Sequence, residues 1–285
     1  MQQKILILGG DKRMAYTAEY LAAKGCSVGV YANSAAADAA GVAQAASLGA
    51  AMREYDYIVL GRPFSKDGAT MYAPFGGEDI SADDILALVE PRHKIAVGAA
   101  GGFVISCAKK GAACVDYGTR EDFALYNAVP TAEAILALLI GNLPGTISDS
   151  SILILGYGKI GKALAGMLKG LGARVTASAR KATDFAMMDI AKIDSIVTGC
   201  YGGLDRFDAV VNTIPHVTAD EGFYVQLGEG GVVIDASASP GYMDGDCARS
   251  HGVSFIEAFG LPGKTAPATS GRIIAKTVTD IFGRL

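Results

Sequence analysis

The chain has 285 residues, 51% of them hydrophobic, which is enough to bury the core of one large domain or two medium ones. Its formal net charge of −4 excludes nucleic acid and anionic membrane surfaces as main partners. It has no apolar run of roughly 18 residues and no C-x-x-C motif, and the pattern of its first residues leads us to expect no signal peptide. We therefore expect a cytoplasmic protein that works without a membrane, nucleic acid or a bound metal.

The first half alternates apolar runs with segments of helical spacing, which predicts a parallel sheet with helices on both faces. The long segment 64–77 is expected to be a loop, and loops of that length are often functional. Strands are predicted at residues 4–10, 27–31, 55–63, 95–98 and 114–117, and helices at residues 13–24, 35–46, 81–89 and 104–110.

The first strand ends in Gly9 and Gly10, followed by Asp11 and Arg13, at the sheet edge where ligands gather. This pattern permits two interpretations. Asp11 and Arg13 bind an anionic substrate, or Asp11 caps a helix and Arg13 lies on the surface.

A segment at residues 129–145, called the bridge below, joins the first half of the chain to the second. Pro130 at a first helical position predicts a helix that runs to about residue 140 and is apolar nearly all round. Such a helix should be buried between two domains. Asn127, Thr131 and Glu133 would then lie near the interdomain cleft, unless they merely cap the helix.

The middle of the chain carries a strand at residues 151–155, then Gly156, Gly158 and Gly161, then a helix. Strand, G-x-G-x-x-G turn and helix together predict a dinucleotide site rather than an ordinary turn. The first glycine permits the sharp turn, the second lets a pyrophosphate approach the backbone, and the third lets the helix pack on the strand.

The next strand, residues 173–181, ends in Arg180 and Lys181 where NAD-specific proteins carry an acidic residue. Two cations without a carboxylate favour the 2′-phosphate of NADP over NAD. The alternative is a solvated basic turn.

Further strands are predicted at residues 195–198, 207–215, 231–237 and 253–257, with a loop at 260–267 and a last helix at 270–282. The fold class is therefore α/β, with two doubly wound parallel-sheet domains, the second a Rossmann domain. We expect a substrate-side flavodoxin-like domain at 1–128 completed by 268–285, a bridge at 129–145, and an NADP-binding domain at 146–267. The predicted cofactor-binding residues are Gly156, Tyr157, Gly158, Lys159, Ile160, Gly161, Ser178, Ala179, Arg180, Lys181, Asn212, Thr213, Ile214, Pro215, Asp235, Ala236 and Ser237.

Several motifs together carry a family resemblance over nearly the whole length. They are residues 9–13 (GGDKR), 120–133 (REDFALYNAVPTAE), 156–161 (GYGKIG), 179–180 (AR), 212–215 (NTIP), 235–237 (DAS) and 260–267 (GLPGKTAP). By these the chain resembles the A subunit of dipicolinate synthase. The resemblance implies NADP-linked oxidation of a dihydrodipicolinate-type precursor from the lysine pathway to pyridine-2,6-dicarboxylate, in the mother cell of a sporulating bacterium. It also implies a partner, the flavoprotein-like B subunit of dipicolinate synthase, and we expect a homo-oligomer.

In layout the chain also resembles D-2-hydroxyacid dehydrogenases, which need a His paired with a carboxylate and an Arg for the substrate. Only His93, His216 and His251 are present, and of these His216 follows a predicted strand end. Glu133 and His216 are therefore the candidate proton acceptors. A small dicarboxylate calls for cations and polar groups, and the candidates include Arg120. The predicted substrate-binding residues are Asp11, Arg13, Arg62, Asn127, Thr131 and Lys264.

Three functions stay open at this point. The chain is the dipicolinate-forming oxidoreductase, an NADP-dependent dehydrogenase of the D-2-hydroxyacid type, or a cofactor-binding subunit without chemistry of its own.

Overall fold

A computed structural model describes residues 3–36, 39, 41–216, 219–237 and 243–284. The chain divides into two compact units. The first combines Met1–Asn127 with Ala266–Leu285, and the second is Ala128–Thr265.

The first unit is built on a parallel sheet of six strands, which lie side by side in the order β3 (Val42–Gln44), β2 (Ser27–Tyr31), β1 (Lys4–Leu8), β4 (Tyr57–Leu60), β5 (Lys94–Val97) and β6 (Ala113–Asp116). The buried apolar faces of these strands, Ile5, Ile7 and Val59 on one side and Leu6 and Leu8 on the other, form two cores beneath the helices. The elements are β1 (Lys4–Leu8), α1 (Lys12–Ala23), β2 (Ser27–Tyr31), β3 (Val42–Gln44), α2 (Leu48–Glu54), β4 (Tyr57–Leu60), α3 (Ala82–Ala87), β5 (Lys94–Val97), α4 (Gly101–Lys109) and β6 (Ala113–Asp116).

The predicted helix at residues 35–46 is wrong. Among the residues described there, only a single 3-10 turn forms, Ser34–Ala36, and Val42–Gln44 pairs with β2 as an edge strand. The alanine-rich composition favours a helix locally, but pairing with β2 outweighs that preference. The helix comes later as α2, capped by the Ser47 side chain, which accepts from the backbone N–H of Ala50.

The C-terminal helix α11 (Pro267–Arg284) lies on the first unit, where it packs against α1. The two helices approach closely at Gly271, where a Cβ would stand 2.4 Å from the carbonyl oxygen of Arg13. The hydroxyl of Thr17 donates to the carbonyls of Arg13 and Gly271. The end of the chain therefore completes the core of the unit in which the chain begins.

Helix α5 (Glu121–Asn142) is longer than predicted, because Pro130 lies inside it rather than at its start. Burial of side chains on both sides of the proline, Phe123 and Ile135 among them, stabilises the continuous helix although one backbone hydrogen bond is lost. The expectation that the predicted helix is buried all round is also wrong, since Ile140 at its end is 59% exposed.

By length and composition alone, α5 could cross a membrane, with a mean hydropathy of 1.6 over its most apolar window. However, 44% of that window is buried inside the protein, and Ile135 and Leu139 belong to a packed core. Part of the helix therefore packs into a protein core.

The second unit is a parallel sheet in the order β12-β11-β10-β7-β8-β9, the doubly wound order predicted for it. One element departs from prediction: residues 260–267 are not all loop, because Leu261–Thr265 forms a short helix that buries Leu261 and Pro262. The elements are β7 (Ser151–Leu155), α6 (Lys159–Gly170), β8 (Arg174–Ala179), α7 (Ala182–Ile190), β9 (Asp194–Val197), β10 (Ala209–Asn212), α8 (Glu221–Leu227), β11 (Val232–Asp235), α9 (Gly245–Ser250), β12 (Ser254–Glu257) and α10 (Leu261–Thr265).

Candidate functional site: the glycine turn and the strand ends

The G-x-G-x-x-G turn joins β7 to α6, and its first and third glycines are required by the fold. Gly156 has φ +97°, a left-handed conformation that a side chain disfavours. At Gly161 a Cβ would stand 2.1 Å from the carbonyl oxygen of Gly156. These two glycines therefore fix how closely α6 packs on β7.

Gly158 is different, because the fold itself does not require a glycine there. Its φ of −80° suits any residue, and no heavy atom lies within 4 Å of the place where its Cβ would be. It is exposed at the N-cap of α6, and glycine has no side chain with which to cap the helix. Open space at the N-terminus of a helix fits an anionic group such as a pyrophosphate.

The other turn residues divide between core and surface. Lys159 is exposed and Ile160 is half-buried. Tyr157 is 7% exposed, burial raises the pKa of its phenol, and the ammonium of Lys162 lies 5.4 Å from its ring centroid. Only the backbone of Tyr157 is therefore available to a ligand.

Two hydroxyls from neighbouring strand ends hold the turn in place. The backbone N–H of Gly156 donates to the buried Ser178 hydroxyl at 3.0 Å. The Thr213 hydroxyl, after β10, donates to the carbonyl of Leu155 at 2.9 Å. Ser178 therefore acts on the turn itself, and beside it Ala179 is buried.

The end of β8 presents positive charge. Arg180 and Lys181 are exposed, and neither forms an ion pair with a carboxylate among the described residues. The carboxylate that follows in sequence, Asp184, is held by Lys162 at 2.8 Å. Among the described residues, this corner therefore offers two cations without an ion pair, and the carboxylate that follows them in sequence is already bonded to Lys162.

The ends of β10 and β11 are joined by a buried polar network. The amide of Asn212 donates to Asp235 at 3.0 Å, and the same carboxylate oxygen accepts from the backbone N–H of Ser237 at 3.1 Å. The backbone N–H of Ile214 donates to the amide oxygen of Asn212 at 3.0 Å. These side chains therefore position the strand ends, while Ala236 and Ile214 are buried and Pro215 is exposed.

In the first unit, Asp11 and Arg13 are bonded to each other. The guanidinium donates to both oxygens of Asp11, at 2.8 Å from Nη2, and also to the carbonyl of Arg62. Asp11 caps α1 as well. Burial disfavours the charge on Arg13, but the hydrogen bonds and charge of Asp11 outweigh it and raise the pKa of the guanidinium. This geometry favours the capping interpretation, except that Arg13 is buried at 9% exposure rather than on the surface.

Of the proposed substrate-binding cations in the first unit, Arg62 alone lacks an ion pair with a described carboxylate. It is half-buried after β4, with its guanidinium carbon 5.6 Å from the ring centroid of Phe123. By contrast, Arg120 is bonded to Asp122 and Asp280, each at 2.7 Å.

Sequence reasoning missed a polar corner beside Arg62. The Asp116 carboxylate accepts from the backbone N–H groups of Ala99, Ala100 and Gly118. A Cβ on Gly118 would lie 3.2 Å from both the Arg62 Nε and the Ala99 nitrogen, so these groups converge on one point. The sequence feature that could have revealed this corner is the run of small residues at 98–102, which lies between a strand and a helix.

The remaining candidates lie apart from this corner. Within the continuous helix α5, Asn127 is half-buried, Thr131 is buried and Glu133 is exposed, so none of them caps its start. In the second unit His216 and Lys264 are exposed. No group of three or more His, Cys, Asp or Glu suited to a metal occurs among the described residues.

The fold is a two-domain α/β layout, with two parallel six-stranded sheets, that is similar to the layout of dehydrogenases. The structure is similar to a D-lactate dehydrogenase from Treponema pallidum, with a TM-score of 0.58 and 13% identity, covering 99% of this chain and 95% of that one. The predicted fold class is therefore confirmed.

Within this class the resemblance to the dipicolinate synthase A subunit is confirmed. Residues 4–117 match the family model for the N-terminal domain of that A subunit. The dipicolinate synthase A subunit of Bacillus subtilis (strain 168) is 28% identical over 167 residues, 58% of this chain and 56% of that relative. The matched region thus spans little more than half of the relative's length. The crystal structure of the dipicolinate synthase A subunit from Bacillus halodurans has a TM-score of 0.86 at 24% identity, covering 98% of this chain and 97% of that one.

Proposed function

We propose that this chain is an NADP-dependent oxidoreductase that converts a dihydrodipicolinate-type precursor to dipicolinate, as the A subunit of a dipicolinate synthase. The observation that carries the proposal is the turn at Gly158, where α6 begins at a glycine without a capping side chain and with open space in front of it. That arrangement, together with the family resemblance, supports a bound dinucleotide.

The choice of NADP is supported by the corner after β8. Arg180 and Lys181 are exposed and unpaired with described carboxylates, while Asp184 is held by Lys162. A 2′-phosphate matches the two cations, whereas the carboxylate that follows them, Asp184, is already bonded and would not be free to bind a ribose 2′-hydroxyl.

A cyclic dicarboxylate substrate needs cationic or N–H donors. Arg62 is the candidate that we favour in the first unit, since Arg13 and Arg120 are already bonded to carboxylates. A planar guanidinium binds a carboxylate through two parallel hydrogen bonds, which would orient the ring.

Oxidation of the dihydro ring removes one hydride and one proton and leaves the aromatic dicarboxylate. The nicotinamide cofactor supplies the hydride acceptor when bound. The proton goes to a base on this chain, for which Glu133 and His216 are the candidates; both are exposed and can exchange that proton with water. Ser178 and Thr213 contribute to cofactor binding rather than to this step, since they hold the glycine turn that would receive the pyrophosphate.

We further propose that the chain works in the cytoplasm, as a homo-oligomer and with the flavoprotein-like B subunit of dipicolinate synthase. The family resemblance supports this second subunit.

The test is to incubate the purified full chain with the dihydro precursor and NADP, with and without the B subunit, and to follow nicotinamide absorbance. We expect absorbance to rise, and Arg62→Lys to raise KM more than it lowers kcat. Unchanged absorbance under both conditions would refute an oxidoreductase role.

A cofactor-binding subunit without chemistry is the second candidate. It is favoured by one observation, namely that both candidate proton acceptors, Glu133 and His216, are exposed rather than enclosed. NADP binding without turnover, in the presence of the B subunit, would support it.

A further inference from the structure

The buried Arg13 guanidinium joins the turn after β1 to the residue that follows β4 by two. Its Nη2 donates to Asp11 at 2.8 Å and also to the carbonyl oxygen of Arg62. Its Nε donates to both oxygens of Asp11, at 2.9 and 3.1 Å. Arg13 is only 9% exposed, and all three residues belong to the first unit. These donors are therefore used inside the protein, and one of them holds the backbone of Arg62.

An amide that follows β2, that of Asn33, fixes the turn from which Arg13 is held. Its nitrogen donates to three successive carbonyls, those of Gly9, Gly10 and Asp11, at 3.0, 3.1 and 3.2 Å. Asn33 is 1% exposed, so water does not compete for these carbonyls. The Asp11 carboxylate therefore has a fixed place from which to orient the guanidinium.

The Arg62 side chain starts from a backbone that is held at several points. The Tyr117 hydroxyl donates to the carbonyl of Leu60, two residues before Arg62, at 3.2 Å. A Cβ on Gly98 would stand 2.5 Å from the Arg62 Cβ, so a glycine is needed where the side chain leaves the backbone. The guanidinium carbon then lies 5.6 Å from the ring centroid of Phe123. A shift of the Arg62 carbonyl would therefore move the guanidinium.

Stability alone does not account for a buried ion pair at this position. Well-packed apolar residues of similar volume stabilise a fold as well as a buried ion pair does, or better. What Arg13 adds is direction, because a planar guanidinium holds its acceptors in one plane at set distances. An ammonium is a point charge and imposes no such plane.

Given the proposed dicarboxylate site, on which this inference rests, we propose that Arg13 is a positioning residue that acts on the substrate only through Arg62. By holding the Arg62 carbonyl, it keeps the Arg62 guanidinium where two parallel hydrogen bonds reach one substrate carboxylate. Asp11 belongs to the same device, since it orients Arg13 and neutralises its charge.

Calorimetric titration of the full chain with pyridine-2,6-dicarboxylate, with NADP present, measures this effect without turnover. We expect Arg13→Lys to raise the Kd about tenfold, which corresponds to one lost hydrogen bond between charged groups. In an Arg62→Lys background the same change should alter the Kd by less than about twofold, because an ammonium at that position does not depend on orientation. The two substitutions should thus be non-additive.

Arg92→Lys is the matched control, because Arg92 forms the same kind of contacts at the other end of β4. Its Nε donates to Glu90 at 2.9 Å, and its Nη2 donates to the carbonyls of Met52 and Arg53 at 2.9 and 3.1 Å. This variant loses a guanidinium that holds backbone carbonyls, yet the Kd for the dicarboxylate should equal that of wild type.

Two measurements keep the test valid if Arg13→Lys lowers stability. The stoichiometry of each titration gives the folded fraction, so the Kd still describes the folded molecules. Tyr117→Phe removes the hydrogen bond to the Leu60 carbonyl and leaves the ion pair in place. It should raise the Kd roughly threefold when Arg62 is present and leave it unchanged in the Arg62→Lys background.

The outcomes separate this assignment from the proposed function. Wild type that does not bind the dicarboxylate would overturn the proposed substrate and the positioning role together. If wild type binds and Arg13→Lys raises the Kd tenfold in both backgrounds, Arg13 contacts the substrate itself, and the positioning role alone is overturned. An unchanged Kd in Arg13→Lys would also overturn the positioning role alone.

Discussion

Replacing Gly158 by alanine tests the pyrophosphate site directly. Gly158 has φ −80° and ψ −161°, which alanine adopts without strain, and its Cβ would meet no heavy atom within 4 Å. Alanine also restricts the unfolded chain, so the free energy of unfolding should rise by about 0.5 kcal/mol. The fold therefore gives no reason for glycine here, and only a ligand would.

The expected effect on binding follows from bond lengths. A Cβ projects about 1.5 Å from the backbone, comparable to the Cα–C bond. A phosphate oxygen displaced by that much from N–H groups normally about 2.9 Å away no longer forms hydrogen bonds. Loss of two such bonds is worth roughly 2 kcal/mol, or about thirtyfold in Kd for NADP.

Calorimetric titration with NADP and urea unfolding of the same sample separate binding from stability. Gly161→Ala is the contrasting variant, because its Cβ would lie 2.1 Å from the carbonyl oxygen of Gly156. It should destabilise the second unit by about 3 kcal/mol or more. If Gly158→Ala binds NADP as wild type does, the turn is not the pyrophosphate site.

Three further predictions concern single side chains. Ser178→Ala leaves the Gly156 N–H without its partner, so the free energy of unfolding measured in urea should fall by about 1.5 kcal/mol. Ser178→Thr should restore part of that loss, and an unchanged unfolding midpoint in the alanine variant would contradict the prediction. Asp11→Asn leaves Arg13 buried without a counter-charge, so the free energy of unfolding of the first unit should fall by about 3 kcal/mol. An unchanged free energy of unfolding would show instead that water reaches the pair. Burial lowers the pKa of His93, so its contribution to stability is complete above about pH 6.5 and falls as the pH drops toward the lowered value, by at most about 1.4 kcal/mol per pH unit. His93→Gln should flatten that pH dependence in urea unfolding, and an equal slope in both proteins would contradict the assignment.

Most of the strands could be predicted because their residues are apolar over four or five consecutive positions, as at Ile152–Leu155, where burial is complete. The turn at Gly156–Gly161 could be predicted for a related reason: strand, glycines and helix are adjacent in sequence, so local pattern contains the whole motif.

Helix α5 and strand β3 could not be predicted from local preference. Pro130 favours a helix start, yet packing of Phe123 on one side and Ile135 on the other extends the helix through it. Residues 42–44 follow an alanine-rich run, yet they pair with the edge of β2. In both cases contacts with distant residues outweigh the local preference, which is roughly 3 kcal/mol against a proline inside a helix and a fraction of a kcal/mol per residue in the alanine-rich run.

The sequence by itself determined the two α/β halves, the glycine turn and the cations at Arg180 and Lys181, because each depends on neighbours along the chain. Only the tertiary structure decided that Arg62 has no ion pair with a described carboxylate, and that the backbone N–H groups of Ala99 and Gly118 meet the Asp116 carboxylate beside it. These relations join segments that follow different strands. Parallel strands place their carboxyl ends at one edge of the sheet, and the residues that meet there are far apart in sequence.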